Sequence, residues 1–383
     1  MNTKPKVLSG IDRLDLADGV LRGRRVGLMT NQTGIDRHFR STIDLLHGRY
    51  CLTALFAVEH GIRGDVQAGQ AYETRPDPET GVPVYAVYGK THRLTPEMLA
   101  AFDVFCFDMQ DVGARFYTYL YALSYAMEEC AKAGKPVVVF DRINPLGGER
   151  VEGAVLDPRF ASYVGAYPLP TRYGLTIGEY ALWVRDHLRL DLDLTVIPLE
   201  GWKRGMYGDE IDLPWVAPSP NCASLHTAFA YVGTCVFEGT NVSEGRGTTM
   251  PFEYIGAPWI DADRLAARMR EHGLPGLWFR PVSFTPAASK YAGESCHGVQ
   301  VHITDRREAR VVEGGLTLLD EIRALYPDKL EYIPSTMGAW FIDKLLGTDA
   351  YRLGQYDAHA LMEAHRPARE AFTEARKPFL LYD

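Results

Sequence analysis

Val104–Asp141 reads VFCFDMQDVGARFYTYLYALSYAMEECAKAGKPVVVFD, and its pattern decides the fold. It opens on an apolar run, Val104–Phe107, and closes on another, Pro136–Phe140. Both runs are continuous rather than alternating, as strands covered on both faces are. Between them Phe116–Ala133 has the length and composition of a helix, and Gly134 stands where a helix ends on a left-handed residue. Strand, helix and strand in this order make a βαβ unit, which implies parallel strands.

The same alternation extends outward. Further strand-like runs lie at Arg25–Thr30, Leu52–Val58, Val84–Tyr88 and Leu194–Pro198. Helix-like stretches fall at Arg40–Leu46, Pro96–Ala101 and Ile177–Leu188, and Thr95 followed by Pro96 is a capping residue with proline at the first helical position. The expected fold is α/β, a Rossmann-like, doubly wound and mostly parallel sheet. The Pro-rich Leu213–Pro220 (LPWVAPSP) reads as a boundary, giving a catalytic domain over 1–222 and a smaller α+β domain over 223–383. In the second part helices are expected at Ala262–Glu271, Leu316–Leu325 and Tyr351–Met362, and strands at Leu277–Val282 and Gly298–Ile303. Its polar segment Glu238–Thr249 is expected to contribute to the cleft.

With 383 residues the chain is long for a single core, and 46% hydrophobic with 23% charged residues is ordinary for a globular protein. A net charge of −8 argues against nucleic acid as partner, since phosphate binding needs a basic field. The six cysteines form no CxxC pair and are expected as free thiols. The N-terminal MNTKPKVLSG has no apolar signal core, and no apolar run approaches the ~20 residues of a membrane span. The expectation is therefore a chain without membrane partner, cytoplasmic as given and periplasmic or secreted if a leader was removed.

In open α/β sheets ligands bind outside the carboxyl ends of the strands. Each such junction here is polar: Asn31-Gln32-Thr33-Gly34, Glu59-His60-Gly61-Ile62-Arg63-Gly64, Asp108 through Arg115, and Asp141 through Pro145 with Asn144. No G-x-x-x-x-G-K-[ST], G-x-G-x-x-G or G-x-S-x-G motif occupies them, so a P-loop, a dinucleotide site and an α/β-hydrolase elbow are not expected. Nor does histidine spacing suggest a metal, and no cofactor is expected. Glu59 is the sharpest candidate: a carboxyl directly ending an apolar strand is placed for general acid work. The alternative is a loop-capping Glu paired with Arg63. Asp108 and Asp111 supply the further carboxylates that glycosidic cleavage uses, or Asp111 caps the following helix. Arg115, Tyr117 and Tyr119 either hold a ligand or pack on a helix surface. In the second part Glu244 and Arg246 either pair with each other or reach the crevice, with glycines letting the backbone approach a ligand.

Taken together, TNQTG at 30–34, EHGIRG at 59–64, DMQDVGARFYTY at 108–119 and DRINPLGG at 141–148 resemble the exo-β-N-acetylmuramidase (NamZ) family, long catalogued as a domain of unknown function. SPN at 219–221, EGTNVSEGRGTTMPFEYIGAP at 238–258, CHGVQVHITDR at 296–306 and LLY at 380–382 extend the resemblance from about residue 7 to the end. The resemblance implies release of N-acetylmuramic acid from the non-reducing ends of peptidoglycan fragments, with muropeptides or disaccharides as substrates. It implies Glu59 as a catalytic carboxylate, with Asp111 and then Glu244 as candidates for the second group. Family members are often exported, so the missing leader leaves the compartment open. Muramic acid carries a lactyl carboxylate, for which Arg63, Arg115 and Arg246 are the candidate cations, and Asn31, His60, Asp108, Tyr117, Asn144 and Asn241 complete the expected binding set. Two competing readings are another cell-wall sugar hydrolase or deacylase, and a muropeptide-binding module without turnover.

Overall fold

The computed structural model describes residues 4–59, 61–64, 75–87, 89, 91–335 and 339–383. Its larger sheet has strands β1 (Arg25–Thr30), β2 (Cys51–Ala57), β3 (Arg75–Pro76), β4 (Pro83–Ala86), β5 (Val104–Asp108), β6 (Val137–Phe140) and β7 (Leu194–Ile197), in the order β3-β4-β2-β1-β5-β6-β7. All neighbours are parallel except the short edge strand β3. The chain runs outward from β1 to β4, then returns to the other side of β1 at β5. This reversal is the Rossmann order, and it opens a crevice beyond the carboxyl ends of β1 and β5. The helices of this part are α1 (Asp18–Leu21), α2 (Thr42–Arg49), α3 (Pro96–Ala100), α4 (Tyr119–Lys132) and α5 (Ile177–His187).

The continuous apolar runs follow from this layering. On β5, Val104 and Cys106 join the core on one face of the sheet, and Phe105 and Phe107 join the core on the other. Every position is buried, so the period-two pattern vanishes.

The second part contains α6 (Leu225–Thr234), α7 (Ala262–Glu271), α8 (Val311–Leu325), α9 (Phe341–Leu346), α10 (Ala358–Ala364) and α11 (Arg366–Ala375). Its antiparallel sheet is β8 (Tyr254–Ala257), β9 (Leu277–Phe284) and β10 (Cys296–Ile303), with β10 central. Helix α8 starts five residues before the expected Leu316, because Gly314 and Gly315 are helical rather than a break. They serve close packing: a Cβ on Gly315 would sit 2.0 Å from the Gly233 carbonyl of α6. The helix expected over Tyr351–Met362 is a turn followed by α10, which Asp357 caps through the Ala360 amide. Helix α4 begins at Tyr119 rather than Phe116, since the Arg115 amide bonds Thr171 O at 2.8 Å instead of entering the helix. One hydrophobic cluster runs from Phe107 and Leu120 through Phe229 to Val299 and Leu316, so the two parts share a core. All six cysteines are free thiols. No helix among the described residues is long and apolar enough to cross a membrane.

Candidate active site

Glu59 lies two residues beyond the end of β2. A turn closed by the Gly61 amide on Val58 O (3.1 Å) follows, and Gly61 adopts φ +77°, which a glycine supplies without strain. The parallel sheet thereby delivers the carboxylate to the carboxyl end of the strands, where Thr118, just before α4, donates to Glu59 Oε2 at 3.5 Å. Glu59 lines a cleft with Phe116, Tyr117, Thr118, Tyr119, Ser219, Asn221, Cys222, Tyr231, Arg246 and Phe252.

One wall is aromatic. Tyr117 meets Tyr119 edge-on at 4.8 Å, and Tyr231 meets Phe252 edge-on at 4.7 Å. Burial holds the Tyr117 hydroxyl well above its ordinary pKa, so it is a neutral group across the physiological range. The Tyr119 hydroxyl donates to Pro218 O at 2.6 Å, and Gln32 Nε2 donates to Ala217 O and Pro218 O at 2.9 and 3.2 Å. The Pro-rich stretch is thus pinned across the strand ends as a strap, with Ser219 and Asn221 as part of the cleft surface.

The second half of the chain also brings Arg246 to the cleft, beside Phe252. Arg246 lines the cleft, donates from Nη2 to Glu238 at 2.5 Å, and holds Nε 3.3 Å from Glu244. Lys290 supports Glu244 from behind at 2.9 Å while also donating to Phe237 O and Val242 O. Burial opposes the Arg246 charge, yet Glu238 and Glu244 together hold its pKa above the usual value. Burial pushes the Glu238 carboxyl upward, against the attraction of Arg246. Arg246 also lies over the Phe252 ring at 5.1 Å.

Other expected site residues have different surroundings. Arg115 is fully buried and donates to Ala154 O (2.6 Å), Leu169 O (2.7 Å) and Leu345 O (2.7 Å), so its charge is spent on bracing three segments. Asp108 is also buried, held bidentately by Arg142 at 2.5 and 2.8 Å and bonded by Thr42. Asp111 is buried off the cleft, bonded by the Tyr173 hydroxyl and the Gly113 amide (2.6 Å), and burial raises its pKa to about 6. Arg63 pairs with Asp77 at 3.0 Å. Asn144 bridges Leu175 O and the Leu146 amide at 2.9 and 3.0 Å. Asn241 bonds the 329–331 segment at 2.8 and 3.0 Å. Asn31 shapes the turn after β1 by accepting from the Thr33 amide at 2.9 Å, and it abuts Tyr119. His60 lies outside the described residues. The structure therefore brings Glu59, Tyr117 and Arg246 together on one surface, places Glu244 behind it, and sets Asp108, Arg115, Asn144 and Asn241 into the scaffold.

Tyr231, Phe252, Glu238 and Lys290 escaped the reading of the sequence. Glu238 stands in the same polar segment as Arg246, and an acid eight residues from an arginine was the available signal. Lys290 had none, being 46 residues from its partner. His92 was also missed: it stacks on Tyr163 at 3.8 Å within electrostatic reach of Glu59, and burial lowers its pKa against that carboxylate's pull. No group of three His, Cys, Asp or Glu among the described residues is arranged to hold a metal.

A Rossmann-ordered sheet that carries Glu59 and a braced Arg246 on one aromatic cleft suits an enzyme of the glycosidase type. Residues 26–226 match the family model described as exo-β-N-acetylmuramidase NamZ, N-terminal, and residues 229–382 match its C-terminal counterpart. The chain belongs to the exo-β-N-acetylmuramidase NamZ family. It is 45% identical over 386 residues to the peptidoglycan β-N-acetylmuramidase NamZ of Bacillus subtilis (strain 168), covering 99% of this chain and 92% of that one. Two crystal structures of DUF1343 family proteins from Bacteroides fragilis NCTC 9343 share its fold, each over 99% of both chains. One has TM-score 0.91 at 35% identity, the other 0.76 at 29%.

Proposed function

We propose that this protein releases N-acetylmuramic acid from the non-reducing ends of muropeptides or peptidoglycan disaccharides. The observation that carries the reading is the joint placement of Glu59 and Arg246 on one cleft, from opposite halves of the chain (1–222 and 223–383). Glu59 gives its proton to the glycosidic oxygen as the bond to the anomeric carbon breaks. Arg246 pairs with the lactyl carboxylate, a bond that the neutral N-acetylglucosamine cannot make. Among the described residues Glu59 is the one carboxylate on the cleft surface, with Asp111 and Glu244 behind it. This favours attack on the anomeric carbon by the substrate's own 2-acetamido oxygen. Water then adds to the resulting ring, returning a proton to Glu59. Aromatic faces at Tyr117, Tyr231 and Phe252 suit the C–H face of a pyranose.

Release of para-nitrophenol from a β-N-acetylmuramide, with the β-N-acetylglucosaminide as control, tests this reading. Cleavage of the muramide alone is expected, and Glu59→Gln should abolish it while the protein stays folded. Near-normal turnover in that variant removes Glu59 from the mechanism. No release from either substrate by folded wild type points to a binding module.

A further inference from the structure

Arg246, on the cleft surface, belongs to a chain of four charges that runs behind it: Lys290, Glu244, Arg246 and Glu238. Two cations and two anions balance, and Glu244 is buried while Lys290, Arg246 and Glu238 are mostly so. Glu244 is secured from two sides, by Lys290 at 2.9 Å and Arg246 at 3.3 Å. Glu238 has Arg246 as its one ion-pair partner among the described residues. Of the Arg246 nitrogens, Nη1 makes no hydrogen bond among the described residues, and this side chain is on the cleft surface.

A ligand carboxylate arriving at Arg246 upsets this balance. It brings a third negative charge to two positive ones in a poorly solvated place, where uncompensated charge is costly. Glu244 keeps a cation of its own in Lys290, whereas Glu238 depends on Arg246 alone among the described residues. Glu238 is therefore the carboxylate that relieves the excess, by accepting a proton. Resting on the reading that Arg246 binds the lactyl group, we propose that Glu238 is a specificity-determining positioning residue, which takes up a proton when a carboxylate-bearing sugar docks on Arg246.

The surroundings agree. The charged and titratable groups that face Glu238 are Arg246, Glu244, Lys290, Cys235 and Tyr231. Tyr231 and Cys235 are themselves buried and held neutral by that burial, so neither competes for the proton near neutrality. Burial already lifts Glu238 above the ordinary glutamate range. The incoming anion weakens its hold on Arg246 and adds a like charge, both of which lift it further. Binding of the anionic sugar is then favoured as pH falls through the window between the free and bound values of Glu238. A neutral sugar exerts no such effect.

Titration calorimetry of the full chain with N-acetylmuramic acid, in two buffers of different ionisation enthalpy, counts the protons. Wild type is expected to take up as much as about one proton per ligand within that window. The lactyl carboxamide of the same sugar should bind with none, and Glu238→Gln should bind the acid with none. In steady-state assays KM for the muramide should rise by up to about tenfold per pH unit across the window, while in Glu238→Gln this pH dependence of KM should vanish. Binding of the acid by wild type without proton uptake overturns the role of Glu238 and leaves the Arg246 reading intact. Equal affinity for the acid and its carboxamide overturns the Arg246 reading itself. The wild-type calorimetry decides between these even if the variant fails to fold.

Discussion

Replacing Arg246 by methionine is the direct test of charge recognition, but alone it leaves Glu238 without its ion-pair partner. One uncompensated buried carboxylate costs about 3–5 kcal/mol, enough to confuse a binding defect with a folding defect. The informative variant is therefore Arg246→Met with Glu238→Gln, which removes one charge of each sign and keeps both shapes. An arginine–carboxylate hydrogen bond to a ligand in a partly desolvated cleft contributes about 1.5–3 kcal/mol. The double variant should then lose roughly tenfold to 150-fold in kcat/KM on a para-nitrophenyl β-N-acetylmuramide. The lactyl carboxamide of that substrate has the same shape without the charge. On it the double variant should fall within about threefold of wild type. Thermal melts establish that the variant is folded. A similar loss on acid and carboxamide refutes the argument, because it means Arg246 supports the cleft's shape and does not read the charge.

Two further outcomes concern residues that the structure sets behind the cleft. Asp111→Asn removes a carboxyl whose pKa burial raises from 3.8 to about 6. A raised folded-state value means that its favourable contribution is complete below pH 3.8 and is lost as pH climbs through 6. The urea stability of the variant relative to wild type should therefore improve by about 3 kcal/mol between those limits, and a constant difference contradicts the assignment. Arg115→Met takes the donors from three buried carbonyls and should cost about 3 kcal/mol or more in urea melts, with KM of the folded enzyme unchanged. A raised KM at normal stability would put Arg115 back in contact with substrate.

The parallel sheet was legible because burial on both faces writes itself into sequence as unbroken runs such as Val104–Phe107 and Val137–Phe140. The place of Glu59 on the cleft was legible for a related reason: a strand end in such a sheet is where a side chain leaves the core for the crevice. The same logic overreached at Asp108 and Asn144, which also follow strands. Their polarity serves the scaffold, with Asp108 neutralised by Arg142 across the neighbouring strand end and Asn144 closing its own loop. Strand-end position carries no information about which way a polar side chain turns. Arg115 misled for another reason, since a guanidinium with three carbonyl partners is stable in a core and its partners lie 39, 54 and 230 residues away. The Pro-rich Leu213–Pro220 has the composition of a linker, and only its contacts with Gln32 and Tyr119 reveal a strap.

A cleft walled by two halves of a chain reads charge well only if the halves keep their spacing. Several bonds maintain it here. Arg115 reaches Leu345 O at 2.7 Å, and Arg150 reaches Ala309 O at 2.9 Å. Arg376 donates to Tyr173 O and Gly174 O at 3.0 and 2.6 Å. The closing Leu381 and Tyr382 return to the first half, where the Leu381 amide bonds Glu179 at 2.8 Å and the Tyr382 hydroxyl bonds Asp141 at 2.5 Å. These ties and the shared core resist hinge motion, since opening the cleft would expose buried arginines and a continuous apolar cluster. Arg246 is likewise fixed before substrate arrives, between Glu238 and the Lys290-backed Glu244. In such a preorganised site little ordering free energy opposes binding. On the reading that Arg246 takes the lactyl carboxylate, selectivity for that group should therefore appear at binding, in KM and its pH dependence.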